Sequence, residues 1–421
     1  MPRSRAPGGV DDRGARWWDA DLQARSEEVI GMTTHARRMD RLGTETAFEV
    51  LARAKALEAE GRAILHFEIG EPDFDTPVHI TEAAIQALHE GYTHYGPTPG
   101  LPVLRQAIAE VVSTSRGIPV SPQEVIVTPG AKPIMFFTLL AYAQAGDEVI
   151  YPNPSFPIYE SMINFVGATP VPIPLLEGNG FSFDMERFEA SLSPRTKLII
   201  LNSPGNPTGG IIAAPDLHRI AAVARERNIR VLSDEIYGGM QYEGTPTSIA
   251  SLPGMQDLTI ILDGFSKLYA MTGWRLGYAV ANRTVIEHFT KLMANSASCT
   301  ASFVQIAGVA ALRGPQEPSQ RMVAEFRRRR EIIVKGMNDI HGLRCATPPG
   351  AFYVFPNIQA LQRSSAAVAA RLLDEAGIAC LAGTAFGSYG EGYLRFSYAS
   401  SEDNIRKMLE KLNKFVVNML P

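Results

Sequence analysis

A lysine becomes chemically useful when burial or a neighbouring cation frees its neutral amine, which can then attack an aldehyde to give a Schiff base. Lys267 sits in the run Phe265-Ser266-Lys267-Leu268-Tyr269-Ala270-Met271-Thr272-Gly273-Trp274-Arg275, just beyond the apolar stretch Thr259-Ile260-Ile261-Leu262. Ser266 and Arg275 add a hydroxyl and a planar cation with a fixed donor fork, the groups that an aldehyde also carrying a phosphate would require. The competing reading is a solvated surface lysine, the fate of most lysines. Other groups brought to the same place must decide between the two.

The elements that would position such groups can be read from the apolar pattern. Short strands are expected at Val125–Thr128, Glu148–Tyr151, Leu198–Leu201, Arg230–Ser233, Thr259–Leu262 and Leu276–Val280, alternating with longer helical stretches. Most are nearly all apolar rather than alternating, the pattern of parallel strands covered on both faces, and this predicts an α/β sheet. Ala131-Lys132, Asn206, Asp234 and Lys267 each fall at or just after the C-terminal end of one of these strands. That is the edge where open α/β sheets bind ligands. Glu235 would point away from Asp234 if the strand continues, and receives no role.

A helix is expected from Thr46, with Ala47, Val50, Leu51, Ala54 and Leu57 at helical spacing. Thr46 and Glu49 suit a capping box, and Gly61 ends the run. From about Gly314 a long charged helix precedes expected strands at Phe352–Phe355, Ile378–Leu381 and Tyr393–Tyr398 and a last helix from about Glu402. The basic cluster Arg327 to Arg330 reads as a solvated helix face.

The 421 residues are 45% hydrophobic and 20% charged, with net charge −4, so the core is ample and no global basic field invites nucleic acid. The three cysteines, Cys299, Cys345 and Cys380, are scattered, which suggests neither a disulfide framework nor a metal site and points to a reducing compartment. No apolar run is long enough to span a bilayer. The arginine-rich N-terminus lacks a following secretory core, so a cytoplasmic location is expected. Residues 1–38 stand apart in composition and contain Trp17-Trp18. They read either as a disordered arm or as a segment whose tryptophans dock on the body or on a partner subunit.

Seven strings, in order, resemble the class I and II aminotransferases, pyridoxal-phosphate enzymes of fold type I. They are Ile69-Gly70-Glu71-Pro72-Asp73-Phe74, Tyr95-Gly96-Pro97-Thr98-Pro99-Gly100, Thr128-Pro129-Gly130-Ala131-Lys132, Asn206-Pro207-Thr208-Gly209, Ser233-Asp234-Glu235-Ile236-Tyr237, the lysine run, and Leu394-Arg395-Phe396-Ser397. The resemblance runs from near Met39 to the C-terminus. It implies an α/β fold with a large, mostly parallel sheet domain (76–313) and a smaller α/β domain built from residues 39–75 and 314–421.

The same resemblance implies pyridoxal 5'-phosphate as cofactor and no metal. Lys267 would carry the cofactor, Asp234 would face its ring nitrogen, Tyr237 and Asn206 its ring hydroxyl, and Phe156 its ring face. Ala131, Lys132 (through backbone), Ser266 and Arg275 would hold the phosphate, joined by Tyr95 from the second subunit of a homodimer. Arg395, with Gly70 and Asn206 beside it, would grip the substrate carboxylate. The expected reaction is ping-pong transfer of an amino group between an amino acid and a 2-oxo acid. Two alternatives remain. One is a same-fold enzyme of another reaction type, by elimination, cyclisation or carbon–carbon bond formation. The other is a non-catalytic ligand-sensing domain of a transcription regulator, for which fewer than 40 preceding residues leave little room. Dicarboxylate-specific relatives often use a second arginine from the partner; none occurs between Arg283 and Arg313, which weighs against aspartate.

Overall fold

The computed structural model describes residues 35–419; the Trp17-Trp18 pair lies outside them. After a short strand β1 (Leu65–His66), the chain forms β2 (Val125–Thr128), β3 (Glu148–Asn153), β4 (Thr169–Leu176), β5 (Ser182–Phe183), β6 (Thr196–Asn202), β7 (Arg230–Asp234), β8 (Thr259–Gly264) and β9 (Gly277–Val280). Strands β2 to β9 make one sheet in the order β2-β9-β8-β7-β6-β3-β4-β5. Strands β8, β7, β6, β3 and β4 pair in parallel.

Successive side chains leave opposite faces of each strand. In β6, Leu198 and Ile200 pack with the helices Lys132–Tyr142 and Ile158–Val166. Ile199 and Leu201 pack on the other face with Leu217 and Ile220 of the helix Ala214–Glu226. Helices cover both faces, which is why these strands carry no polar alternation.

Two strands depart from the sequence expectation. The stretch expected at Leu276–Val280 is β9, and it runs antiparallel between β2 and β8. Its four residues are buried all the same, because burial on two faces follows from the covering helices and not from strand direction. Strand β4 carried no expectation, since Pro170, Pro172 and Pro174 interrupt it. It tolerates them because β3 is its partner along most of its length and β5 pairs with only two of its residues.

The smaller part joins both ends of the chain. Strands β10 (Tyr353–Val354), β12 (Leu381–Ala382) and β13 (Leu394–Ser397) form an antiparallel sheet, and β1 pairs in parallel with β11 (Ile378–Ala379). The expected strand Ile378–Leu381 is thus two short strands with different partners. Phe326, Phe352, Phe396 and Tyr398 are among the aromatic residues of its core. The helix Thr46–Ala59 forms and stops before Gly61, which has φ 88°. The expected capping box does not: Glu45 holds the N-cap position, and the Glu49 carboxylate accepts a hydrogen bond from the Thr44 hydroxyl instead.

The Arg327–Arg330 cluster is also different from the expectation. Arg327 and Arg328 face solvent, but Arg329 and Arg330 are buried. The Arg329 guanidinium donates to both Asp73 oxygens at 2.7 and 2.9 Å and to Glu325 at 2.9 Å, and lies over the Phe74 ring. Arg330 donates to both oxygens of Glu243 at 2.6 and 2.8 Å. A helix turns 100° per residue, so four adjacent arginines cannot share one environment. Arg329→Met should therefore cost roughly 1–2 kcal/mol by urea denaturation, because it removes the bidentate partner of Asp73 while Glu325 keeps Arg328, whereas Arg327→Met should stay within about 0.5 kcal/mol.

Candidate active site

The C-terminal edges of β6, β7 and β8 open on a cavity of about 690 Å³. Of the residues singled out from sequence, Gly70, Ala131, Lys132, Phe156, Asn206, Asp234, Tyr237, Ser266, Lys267, Arg275 and Arg395 all line it. Tyr95 does not. It is 91% exposed, on the outer surface of the chain.

Lys267 follows the end of β8. Its ammonium donates to the Gly70 carbonyl at 2.6 Å and lies 5.9 and 5.8 Å from the ring centres of Tyr237 and Phe352. Enclosure among these groups strips water from the amine and pushes its pKa down to about 8. A neutral amine is thereby available near neutral pH. The turn beyond it is strained: Ala270 has φ 50° and Arg275 φ 54°, a region that costs side-chain-bearing residues about 1 kcal/mol or more each. The Arg275 guanidinium is held by the Thr272 carbonyl at 2.8 Å.

Asp234 ends β7 and is buried. One oxygen accepts from the Tyr159 hydroxyl at 2.6 Å and the other from the Ile236 amide at 3.2 Å. Among the described residues no cation pairs with it, and burial pushes its pKa up to about 7. Glu235 turns to the other side of the sheet edge, where it meets Arg116 at 2.9 Å.

Arg395 lies in β13, buried between the rings of Tyr353 and Phe386 at 4.8 and 4.9 Å. It donates to the Asn206 side-chain oxygen at 3.2 Å and to the Glu68 carbonyl, while its Nε has no partner. Burial lowers its pKa from the ordinary arginine value, yet a guanidinium stays charged at any physiological pH. A buried cation with an orphaned donor fits an incoming carboxylate. The Asn206 amide is turned to this arginine.

The geometry also fits a phosphate. The helix Lys132–Tyr142 begins without a side-chain cap; Pro133 has no amide and Ile134 donates to the Ala131 carbonyl, which leaves the amides of Ala131 and Lys132 as the donors at the helix start. Gly130, just before it, has φ 86°, and a Cβ there would lie 2.1 Å from the Arg275 guanidinium. That bare Cα lets the cation close on the helix start, beside Ser266. The Lys132 side chain takes no part: it pairs with Glu45 and stands 5.4 Å over the Phe156 ring. Lys132, Lys267, Arg275 and Arg395 against Glu45, Glu71 and Asp234 leave the lining with one cation in excess, and Arg275 and Arg395 offer guanidinium donors that suit a phosphate and a carboxylate. These residues fit pyridoxal 5'-phosphate.

Two tyrosines were not anticipated. Tyr159, in the first turn of the helix Ile158–Val166, holds Asp234 and meets the Phe156 ring edge-on at 5.9 Å. Tyr353 shares a 2.7 Å hydrogen bond with the Tyr237 hydroxyl, and a Cβ on Gly70 would collide with it at 2.1 Å. No helix among the described residues is long and apolar enough to cross a membrane, and none of the described residues form a metal-binding cluster.

The family model described as aminotransferase class I and II matches residues 62–412. The aspartate aminotransferase of Geobacillus stearothermophilus is 38% identical over 392 residues, 90% of this chain and 98% of that protein. The structure of an aromatic aminotransferase from Pyrococcus horikoshii superposes with TM-score 0.83 at 38% identity, covering 86% of this chain and 98% of that one. That of an alanine aminotransferase from Pyrococcus furiosus gives TM-score 0.87 at 32% identity, covering 91% and 100%.

The uncompensated charge of Asp234 has a measurable sign. Its folded pKa, about 7, lies above the ordinary 3.8. The folded state therefore binds the extra proton between those values, and stability falls as pH rises through that window. In ligand-free protein, Asp234→Asn should be stabilising by about 1–3 kcal/mol at pH 8 and by much less at pH 5. Denaturation curves at the two pH values measure this. An equal difference at both would show that Asp234 ionises at no cost.

Proposed function

The chain belongs to the class I and II aminotransferases, and on that premise we propose that it moves an amino group between an amino acid and a 2-oxo acid, using pyridoxal 5'-phosphate bound through Lys267. The observation that carries this reading is the single cavity in which a lysine of lowered pKa, a buried carboxylate and two arginines meet. When bound, the cofactor supplies an electron sink that makes the substrate α-proton labile.

The chain's own groups divide the rest of the work. The Lys267 amine, released from the Gly70 carbonyl, would take the substrate α-proton and hand it back on the far side of the nitrogen, two atoms along. Asp234 would hold the positive charge of the ring nitrogen, anchored for that purpose by Tyr159. Tyr237, fixed by Tyr353, and Asn206 would donate to the ring hydroxyl. The free amides at Ala131 and Lys132, with Ser266 and Arg275, would hold the phosphate. Arg395 would orient the substrate by two parallel hydrogen bonds to its carboxylate.

We further propose a homodimer with shared sites. Tyr95 projects from the surface near the start of the helix Pro102–Arg116, and Tyr92, Leu88, Ile85 and Val78 add exposed apolar area along the same stretch of chain. A surface of this kind suits a second copy of the chain, whose cavity would receive Tyr95.

The test is spectral and chemical. Borohydride reduction of the loaded protein followed by peptide mapping should place the label on Lys267. Amino acids from a panel should discharge the visible absorbance and release the matching 2-oxo acid, and pyruvate or 2-oxoglutarate should restore it. A product that keeps its nitrogen, or loses a side-chain group, would overturn transamination. Arg395→Lys should raise KM by about ten- to a hundredfold with a smaller change in kcat, since an ammonium cannot reproduce the bidentate contact. An unchanged KM would remove Arg395 from substrate binding.

A further inference from the structure

Behind the cavity lies a cluster of charges with no part in the roles above. Arg116 is the last residue of the helix Pro102–Arg116, which Gly117 ends with φ 65°. Its side chain is only 15% exposed and bridges two carboxylates. Nε donates to Glu235 at 2.9 Å and Nη2 to Asp263 at 2.8 Å. The remaining acceptor sites are also used. Glu235 accepts from the Ser233 and Ser248 hydroxyls at 2.9 and 2.6 Å, and Asp263 from the Gly264 amide at 2.7 Å and the Tyr278 hydroxyl at 3.1 Å. Tyr269 is the other titratable group near this cluster. Gly238 leaves room on the near side: a Cβ there would stand 3.3 Å from the guanidinium.

The position of these acids in the chain gives the cluster its meaning. Glu235 adjoins Asp234 and lies two residues before Tyr237. Asp263 lies four residues before Lys267. One guanidinium therefore ties together the two segments that carry the ring-nitrogen carboxylate and the cofactor lysine. It also faces two acids with one charge, so above about pH 6, to which burial pushes the Asp263 pKa, the cluster keeps a negative excess directly behind Asp234. After burial itself, Asp263 and Glu235 both push the Asp234 pKa upward.

We propose that Arg116 is a positioning residue for the reaction: by bridging Glu235 and Asp263 it holds the Asp234–Tyr237 and Asp263–Lys267 segments in register and offsets the two carboxylates that flank Asp234. This rests on the reading that Lys267 carries pyridoxal phosphate, and goes beyond it by placing part of the site's electrostatic control on a helix end outside the cavity.

The test uses the protein loaded with pyridoxal phosphate and reads the pH titration of its visible absorbance. The acid form of the lysine-linked cofactor carries one more positive charge than the alkaline form, so a more negative surrounding raises the midpoint. Arg116→Met should raise it by about half a pH unit or more, and Asp263→Asn, which retains Arg116, should lower it by a similar amount. The Arg116→Met/Asp263→Asn double variant, whose net charge equals that of the wild type, should return the midpoint towards its original value. For Arg116→Met, kcat should fall roughly tenfold with KM changing less than about twofold. Opposite shifts with cancellation are not expected of a merely structural residue.

An unmoved midpoint in Asp263→Asn, or equal shifts of one sign in both single variants, would overturn the proposal. Asp263→Asn keeps its size and its Gly264 contact, and the Tyr278 hydroxyl can turn to accept from the new amide, but it gives up the Arg116 hydrogen bond; it therefore tests the charge on its own, even where Arg116→Met does not fold. The titration needs only bound cofactor. A wild type that binds at Lys267 but never transaminates would overturn the functional reading and leave the titration to judge Arg116. A wild type that does not bind pyridoxal phosphate would overturn both.

Discussion

Two backbone carbonyls two residues apart, those of Glu68 and Gly70, accept from the two cations on which the site depends. Arg395 reaches the first and Lys267 the second. Arg395 belongs to the strand sheet near the C-terminus, and Lys267 to the end of a strand in the large sheet. The segment Glu68-Ile69-Gly70 is thus the place where both halves of the molecule meet. It is fixed from both sides: Phe67 takes the Ala379 carbonyl and gives its own to Ser397, and Tyr353 presses against the bare Cα of Gly70. A side chain at Gly70 would push the segment off Tyr353 and separate the two cations from their common support. Sequence-distant segments must therefore assemble before the site exists, which is consistent with one cooperative unit rather than a site preformed on the sheet.

Much of this could be read from sequence because parallel strands end in loops on one edge, and that edge collects ligands regardless of fold detail. The strand-end rule marks Asp234, Lys267, Asn206 and Ala131 without the help of any resemblance, and all four line the cavity. Arg395 and Gly70 needed the resemblance, since nothing in local periodicity marks a short strand near the C-terminus as a neighbour of residue 70. Tyr159 and Tyr353 escaped because apolar-rich helices and strands hide a phenol whose hydroxyl finds a single buried partner. The direction of β9 and the existence of β4 escaped for a different reason. Burial pattern reports how many faces are covered, and proline reports only that one ladder edge is free.

Charge was the least legible quantity. Arg327 to Arg330 look alike in sequence, yet two are solvated and two are locked to Asp73, Glu325 and Glu243. The partners come from segments near residues 73 and 243, far along the chain, so no local window contains the information. Arg116, Glu235 and Asp263 are the same case. Each looks like an ordinary surface charge, and only the fold brings them to one point.

These arginines also show how the molecule handles buried acids. Glu235 and Asp263 share the Arg116 guanidinium, whereas Asp234 receives a phenol and one amide. Desolvating an unpaired carboxylate costs several kcal/mol less when it accepts two hydrogen bonds, but the cost does not vanish. If stability alone governed the sequence, a cation or an apolar residue would stand opposite Asp234 as well. Keeping that position open leaves a buried carboxyl that ionises only at a cost, which burial expresses as its raised pKa. A ligand bringing positive charge to that point recovers the lost energy as affinity. The same logic applies with reversed sign at Arg395, whose orphaned Nε awaits an anion. The two groups have opposite sign and share one cavity, so a ligand with a cation at one end and a carboxylate at the other would suit both.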